Sequence, residues 1–268
     1  MMFPGLKICV RLVCLALVGG AAVTALPARA AVTTQSIAGH GAPAQRRLTD
    51  DKQALLQQSL RRITGCADMR FEADGRLTGC AGQSLLGGSP TARAVLLEAT
   101  RSNMVFIIED HSKSNAVHFG QLDEGLIYDN DLTRAHFTVW RVRLDFADFQ
   151  QIQAAPPVRA AFDEGFTLLH ELLHGLGLKD AAQPNGLGEC EAVINRARAE
   201  QGLPQRDLYY PDLAWPARGV VSVRLQFSSP GAGQTRRRKH YLFFMAKIGP
   251  PWTIGGPVGD CRETGSGR

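Results

Sequence analysis

FDEGFTLLHELLHGLGLKD, residues 162–180 of this 268-residue chain, is the stretch that decides the fold prediction. Its apolar residues recur at alternating spacings of four and three, as on one face of an α-helix. They are Phe162, Phe166, Leu169, Leu173 and Leu176. Gly175 and Gly177 follow as signals that end a helix. The pattern therefore predicts a helix that begins near Val158 and packs one face against a core.

The same helix carries the motif His170-Glu171-Leu172-Leu173-His174. Residues four apart lie on one helix face, so His170 and His174 can both offer an imidazole nitrogen to one Zn²⁺ ion. Glu171 lies about 100° further round, where its carboxylate can reach a zinc-bound water. Zinc lowers the pKa of that water to near 7, and the carboxylate accepts its proton as the water attacks a carbonyl. The motif predicts peptide hydrolysis at one catalytic zinc. The alternative is that both histidines are ordinary core residues.

Two carboxylates are candidates for the third zinc ligand. Asp180 completes the spacing HExxHxxGxxD, in which Gly177 supplies the sharp turn that returns the chain to the metal. Glu191 follows His174 by 17 residues, near the start of a second helix predicted over Glu189–Glu200. The sequence leaves the choice between Asp180 and Glu191 open.

The two spacings resemble those of known zinc peptidases. The Asp180 spacing is similar to the aspartate-ligand variant of the metzincins found in snapalysin-like proteases. The Glu191 spacing resembles that of gluzincins such as thermolysin. The pattern Asn195-x-x-Arg198-x-Glu200-x-Gly202-Leu203-Pro204-x-Arg206-x-x-Tyr209 resembles the downstream region of bacterial effector-type zinc peptidases. The resemblance covers about residues 167–209 and implies a zincin-like fold and a secreted metalloprotease, while Ile194 departs from the family pattern.

The remaining elements predict one α+β domain. Helices are expected over Thr49–Ile63 and Thr91–Thr100, and strands over Met104–Ile108 and Phe137–Phe146. A C-terminal β-hairpin is expected from two strands, Val220–Phe227 and His240–Met245. We therefore expect a zincin-like fold in which a mixed or antiparallel sheet packs on the HExxH helix, followed by the second ligand-bearing helix and the hairpin.

The strand around Trp140 alternates between apolar and charged residues, which indicates a half-buried strand, antiparallel or near an edge. It is the candidate to border the substrate cleft and to pair with an extended peptide. Tyr209, Tyr210 and Arg206 are candidates to stabilise the oxyanion of the scissile carbonyl. The histidines at 111, 118 and 136 are interpreted as structural.

The N-terminus has the features of a secretory signal. Lys7 and Arg11 precede an apolar stretch, and the small-x-small site Ala28-Arg29-Ala30 follows it, which predicts removal of residues 1–30. Residues 31–48 are expected to form a flexible leader, and residues 49–268 the metallopeptidase domain. The predicted location is therefore secreted or periplasmic, without stable membrane association after cleavage.

Export affects how the cysteines are interpreted. Removal of residues 1–30 leaves four: Cys66, Cys80, Cys190 and Cys261. An even number in an oxidising compartment predicts two disulfides. Cys66 and Cys80 flank the turn signal Asp74-Gly75, so they are expected to pair. Cys190 would then pair with Cys261, and without a Cys-x-x-Cys motif a cysteine metal site is not favoured.

Charge limits the expected partners. Removing Lys7, Arg11 and Arg29 from the 30 basic residues leaves 27 against 25 acidic residues, a net charge of +2. This near-neutral balance does not favour nucleic-acid binding, and a peptide or protein substrate is expected instead. Two alternatives stay open: an exported module whose zinc site is closed and non-catalytic, and a zinc amidase that acts on cell-wall peptides.

Overall fold

The computed structural model describes residues 31–34, 47–73, 75–80, 85–113, 119–123, 125–130, 135–183, 185–217, 220–229 and 237–247. The predicted signal peptide, most of the predicted leader and Cys261 lie outside these residues. The helices are α1 (Asp50–Thr64), α2 (Pro90–Arg101), α3 (Phe146–Gln151), α4 (Pro156–Ala161), α5 (Glu164–Gly175) and α6 (Gly188–Glu200). The strands are β1 (Ala31–Thr33), β2 (Arg70–Phe71), β3 (Leu77–Thr78), β4 (Met104–Asp110), β5 (Gly120–Leu122), β6 (Leu126–Asn130), β7 (Ala135–Leu144), β8 (Gln153–Ala154), β9 (Gln205–Arg206), β10 (Asp212–Ala217), β11 (Val220–Ser229) and β12 (Arg238–Lys247). The α+β class is confirmed.

The first sheet is mixed and has the order β1-β4-β7-β5, with β6 also paired to β7. Strand β4 runs parallel to β1 and β7, whereas β5 and β6 run antiparallel to β7. The apolar run in β4 is buried on both faces, as its composition predicts. Phe106 and Ile108 pack in the larger core with the helices, and Val105 and Ile107 pack with Val139 on the opposite face.

Of the two alternatives predicted for the Trp140 strand, antiparallel pairing is confirmed, with β5 and β6, and the edge position is wrong. Strand β7 has β4 on one side and both β5 and β6 on the other, so it is an interior strand. Its alternation places Val142 and Leu144 on the face that the helices cover, and Arg141 and Arg143 on the face that also carries the small cluster of Val105, Ile107 and Val139. The strand at the end of the sheet order is the short β5, which also contacts α5.

The helix predicted to begin near Val158 is interrupted. Helix α4 ends at Ala161, and α5 begins after Asp163, whose side chain accepts a hydrogen bond from the Phe166 N–H. An aspartate in this position caps a new helix and satisfies one of its free N–H groups. Phe162 lies between α4 and α5. Its side chain does not join the apolar face of α5 and packs instead in a second core with Phe119 and Phe227.

The second sheet has the order β10-β11-β12-β8, with β9 also paired to β11. The predicted C-terminal hairpin is confirmed, because β11 and β12 pair in continuous antiparallel register from Val220↔Lys247 to Ser229↔Arg238. One face of this sheet covers the second core together with α3 and α4. No helix in the described part of the chain is both long and apolar enough to cross a membrane.

The cysteines agree with the prediction in one pair. Cys66 and Cys80 form a disulfide with a Cα–Cα distance of 4.9 Å. This bond joins the end of α1 to the β2–β3 hairpin, as the intervening turn signal predicts. Cys190 is a free, buried thiol, and the partner predicted for it, Cys261, lies outside the described residues.

Candidate metal centre

Helix α5 is buried along almost its whole length. It contacts α1, α2 and α6 together with strands β5 and β7. His170 and Glu171 are each only 3% exposed. A central helix fixes its side chains on all sides, so the HExxH motif lies in rigid surroundings rather than on a surface.

A tight reversal follows α5 and brings Asp180 back to the histidines. Gly177 adopts φ +96°, a left-handed conformation that favours glycine. The Leu178 N–H donates to Leu173 O, and the Lys179 N–H donates to the side chain of Glu189 at the start of α6. The end of α5, the turn at Gly177 and the start of α6 together fix the position of the Asp180 backbone.

The two histidines and Asp180 form a compact cluster. His170 Nε2 lies 3.1 Å from Asp180 Oδ1, and His174 Nε2 lies 3.1 Å from Asp180 Oδ2. The other ring nitrogens face acceptors: His174 Nδ1 lies 3.1 Å from Leu178 O, and His170 Nδ1 lies 3.6 Å from Glu191 Oε2. The Leu178 oxygen holds the Nδ1 proton of His174, so Nε2 is the nitrogen that a metal would bind after displacing the proton that faces Asp180.

These distances suit a small metal ion. Tetrahedral bonds of about 2.0–2.2 Å to one ion place neighbouring donor atoms about 3.4 Å apart. The separations of 3.1 Å between each Nε2 and Asp180 are within a few tenths of an ångström of that value. Two imidazoles and one carboxylate are a donor set that zinc accepts, with a fourth position left for water.

Cys190 is part of this cluster, which the sequence analysis missed. Its Sγ lies 3.5 Å from His174 Nδ1. One donor atom from each of His170, His174, Asp180 and Cys190 can be chosen so that all four lie within 4.8 Å of one another. The expectation of two disulfides pairs Cys190 with Cys261 and does not place it near the histidines. The sequence signal that indicates a place near the histidines is the position of Cys190 on the second predicted helix, one residue before the candidate ligand Glu191.

Glu191 lies on the Nδ1 side of the His170 ring, whereas Asp180 lies on its Nε2 side. Its carboxylate is 1% exposed and accepts hydrogen bonds from the Arg198 and Arg206 guanidinium groups. Burial alone would raise the pKa of Glu191, but the two arginines outweigh burial and lower that pKa to about 2. Of the two predicted third ligands, Asp180 thus faces both histidine Nε2 atoms, whereas Glu191 faces only His170 Nδ1.

Glu171 reaches from α5 to strand β5, where its carboxylate lies near Gly120 and the backbone of Leu122. Burial raises the pKa of Glu171, although the nearby His170 and His174 oppose that shift. Gly120 makes this approach possible, because a Cβ atom there would lie 2.5 Å from Thr167 Cγ2 and 3.1 Å from Glu171 Oε1. The predicted general base, Glu171, therefore lies between α5 and β5.

The charge state of the cluster without metal follows from its contacts. Burial alone would lower the pKa of His174, but the hydrogen bond to Asp180 outweighs burial and raises it to about 11. Burial alone would raise the pKa of Asp180, but hydrogen bonds from His170 and His174 hold it far below its usual range. A metal ion binding here must displace the proton of His174, so binding weakens as the pH falls.

Solvent reaches the cluster from one side. The side chain of His174 is 21% exposed and that of Asp180 is 29% exposed, whereas that of His170 is 3% exposed. Cys190 is fully buried. The side of the cluster at His174 and Asp180 is thus open to a ligand from solution.

The three residues predicted to stabilise an oxyanion have other contacts in the structure. Arg206 is 1% exposed and donates to the backbone oxygens of Leu208 and Tyr209. Tyr210 donates to Ala181 O, and Tyr209 donates to Asp180 Oδ2. In each of these hydrogen bonds the donor is engaged with a protein oxygen. His111 is buried against Glu109, and the side chains of His118 and His136 lie outside the described residues.

Comparison of the chain with protein-family models, with curated proteins and with solved structures finds no match in any of the three.

Proposed function

We propose that this chain is a secreted, zincin-like metalloprotease that hydrolyses peptide bonds at a single zinc ion. The observation that carries the proposal is the arrangement of His170 Nε2 and His174 Nε2, each 3.1 Å from the carboxylate of Asp180. The proposed ligands are His170, His174 and Asp180. Glu191 supports His170 from behind rather than binding the ion.

Glu171 is the proposed general base. A bound zinc ion would supply a water with a pKa near 7 and would polarise the scissile carbonyl. Burial raises the pKa of Glu171, which suits a group that must take a proton near neutral pH and return it to the leaving amine. The contact of α5 with β5 at Gly120 limits the space open to this carboxylate. Strand β5 replaces the Trp140 strand as the candidate to pair with an extended substrate, because it ends the sheet order beside α5.

The second candidate function is a closed, non-catalytic zinc site. The observation that favours it is the position of Cys190 Sγ, 3.5 Å from His174 Nδ1 and within the same group of donors. Four protein ligands would occupy every tetrahedral position and leave none for water. In that case the zinc ion would stabilise the fold without hydrolysing a substrate.

Metal content and casein hydrolysis of the purified chain distinguish these functions. The variants are Glu171→Gln, Asp180→Asn and Cys190→Ser, with the exposed Glu98→Gln on α2 as the control for carboxylate removal. We expect the wild type to hold about one zinc ion and to cleave casein. Glu171→Gln should keep the zinc and lose at least about 100-fold in rate, since general bases contribute roughly that much or more. Asp180→Asn should lose both metal and activity, while Cys190→Ser should keep both.

Other results would decide against the protease. Zinc binding without hydrolysis, together with loss of zinc in Cys190→Ser, would establish the closed site. A wild type that holds no zinc would exclude both functions, and unchanged hydrolysis by Glu171→Gln would remove Glu171 from the mechanism.

A further inference from the structure

Tyr209 contacts two of the proposed zinc ligands at once. Its hydroxyl group donates to Asp180 Oδ2 at 2.6 Å. Its ring lies against the imidazole of His170, with centroids 5.9 Å apart and planes inclined by only 12°. Tyr209 is 3% exposed, so both contacts lie in a packed environment.

The segment that carries Tyr209 is itself firmly anchored. The Arg206 guanidinium lies 5.1 Å from the centroid of the Tyr209 ring and donates to the backbone oxygen of Tyr209. Asn195 on α6 binds the Arg206 backbone twice, through its amide nitrogen and through its amide oxygen. The Tyr209 N–H donates to Gly186 O at 3.1 Å. The phenol therefore has a fixed position relative to α6 and the turn before it.

Asp180 needs such a partner more than the histidines do. The histidines lie on a buried helix, whereas Asp180 lies in the connection between α5 and α6 with its side chain 29% exposed. A partly exposed carboxylate can rotate toward water, and a metal would then have to order it on binding. The phenol hydrogen bond orders the carboxylate beforehand.

We propose that Tyr209 is the positioning residue of the metal centre, because its hydroxyl group fixes the Asp180 carboxylate toward both histidines and its ring fixes the plane of His170. The inference rests on the proposed metal site but not on catalysis there. Groups that orient metal ligands in this way typically contribute a factor of roughly 10–100 in metal affinity.

The neighbouring Tyr210 supplies a matched control. Its hydroxyl group also donates one hydrogen bond, to the backbone oxygen of Ala181 at 3.0 Å. Tyr209→Phe and Tyr210→Phe therefore each remove one buried or partly buried phenol hydrogen bond, and only the first removes a bond to a proposed ligand. Loss of fold stability alone would affect the two variants similarly.

The test measures the zinc dissociation constant by competition with a chelator, and the visible spectrum of the Co²⁺-loaded chain, for the wild type and both variants. We expect Tyr209→Phe to raise the dissociation constant roughly 10–100-fold and to alter the ligand-field bands of Co²⁺. Tyr210→Phe should leave both close to the wild type. Urea unfolding of the metal-free forms should give similar losses for the two variants.

Unchanged zinc affinity and an unchanged Co²⁺ spectrum in Tyr209→Phe, with metal bound by the wild type, would overturn the role of Tyr209 alone. Equal weakening in both variants would overturn it too, because the effect would then come from the fold. A wild type that binds neither zinc nor Co²⁺ would overturn the metal centre itself and the proposed function with it.

Discussion

At the scale of single residues, the notable feature is how many charges are buried beside the α5 helix. Arg198 and Arg206 are 2% and 1% exposed, and the 1% exposed Glu191 lies between them. Arg198 also donates to Ala161 O and to Asn195, so its guanidinium group has several acceptors. A buried ion pair is strongly destabilised when one partner is removed, because the remaining charge is left uncompensated.

Glu191 therefore makes a testable contribution to acid stability. Its pKa is lowered from 4.5 to about 2 in the folded chain, so its stabilising effect is complete above pH 4.5 and is lost as the pH falls toward 2. Glu191→Gln should cost about 3–5 kcal/mol at pH 7 and should make the decline between pH 4.5 and 2 shallower. Urea unfolding of the metal-free chain at several pH values measures this, with Glu98→Gln as the control. An equally steep decline in Glu191→Gln would contradict it.

Sequence reasoning reached some of these residues and not others. His170, Glu171 and His174 follow from a fixed spacing on one helix, and Asp180 from the spacing through Gly177. The buried arginines could not be foreseen, because arginine is rarely fully buried and pairing depends on segments far apart in the chain. Counting cysteines predicts a pair with Cys261, which lies outside the described residues, but it does not reveal that Cys190 lies beside His174.

At the scale of elements, the contact between α5 and β5 determines where Glu171 lies. Gly120 is the point of closest approach, and Thr167 is its nearest neighbour across the contact. Because β5 is only three residues long, it has few other interactions that could hold it against a displaced helix.

A larger residue at position 120 should push the two elements apart. Gly120→Ala places a Cβ atom 2.5 Å from Thr167 Cγ2, so we expect a loss of about 1–3 kcal/mol in the free energy of unfolding. Thr167→Ser deletes that methyl group, so the double variant Gly120→Ala/Thr167→Ser should recover part of the loss. Urea unfolding of the two single variants and the double variant measures the coupling. Strictly additive effects would show that the two positions do not meet as described.

Helices were easier to predict than strand neighbours, for a physical reason. The bounds of α6 differ by one residue from the predicted Glu189–Glu200, because helix periodicity and end signals are local. The interior position of β7 depends on which distant strands pair with it. Alternation along the strand indicates which residues lie on each face of the sheet. It carries no information about which strands pair along its two edges.

At the scale of the whole molecule, two cores meet beside the candidate metal centre. The larger one combines the first sheet with α1, α2, α5 and α6, and the smaller one lies under the second sheet. Arg198 lies between them, 5.3 Å from the Phe166 ring of the first and 5.5 Å from the Phe227 ring of the second. The residues around the candidate metal-binding cluster thus pack against both cores.

The disulfide lies in the larger core, and neither of its cysteines belongs to the candidate metal-binding cluster. Cys66–Cys80 closes a short loop with a sequence separation of 14, for which chain entropy suggests about 3 kcal/mol. The double variant Cys66→Ala/Cys80→Ala should lose about that much stability, while zinc content stays as in the wild type. Urea unfolding and metal analysis of the same preparations measure both quantities. Loss of zinc by the folded double variant would contradict the separation of disulfide and metal site.

The order of residues around the metal centre has a consequence for synthesis. His170, Glu171, His174, Asp180 and Cys190 all lie within one short stretch, whereas Arg206 and Tyr209 follow α6 and continue into the second sheet. Chains leave the ribosome from the N-terminus, and domains generally fold in that direction. The donors of the site therefore emerge together, before the residues that hold them in place. A nascent chain halted after α6 would contain every proposed zinc ligand and would still lack the phenol that orients Asp180.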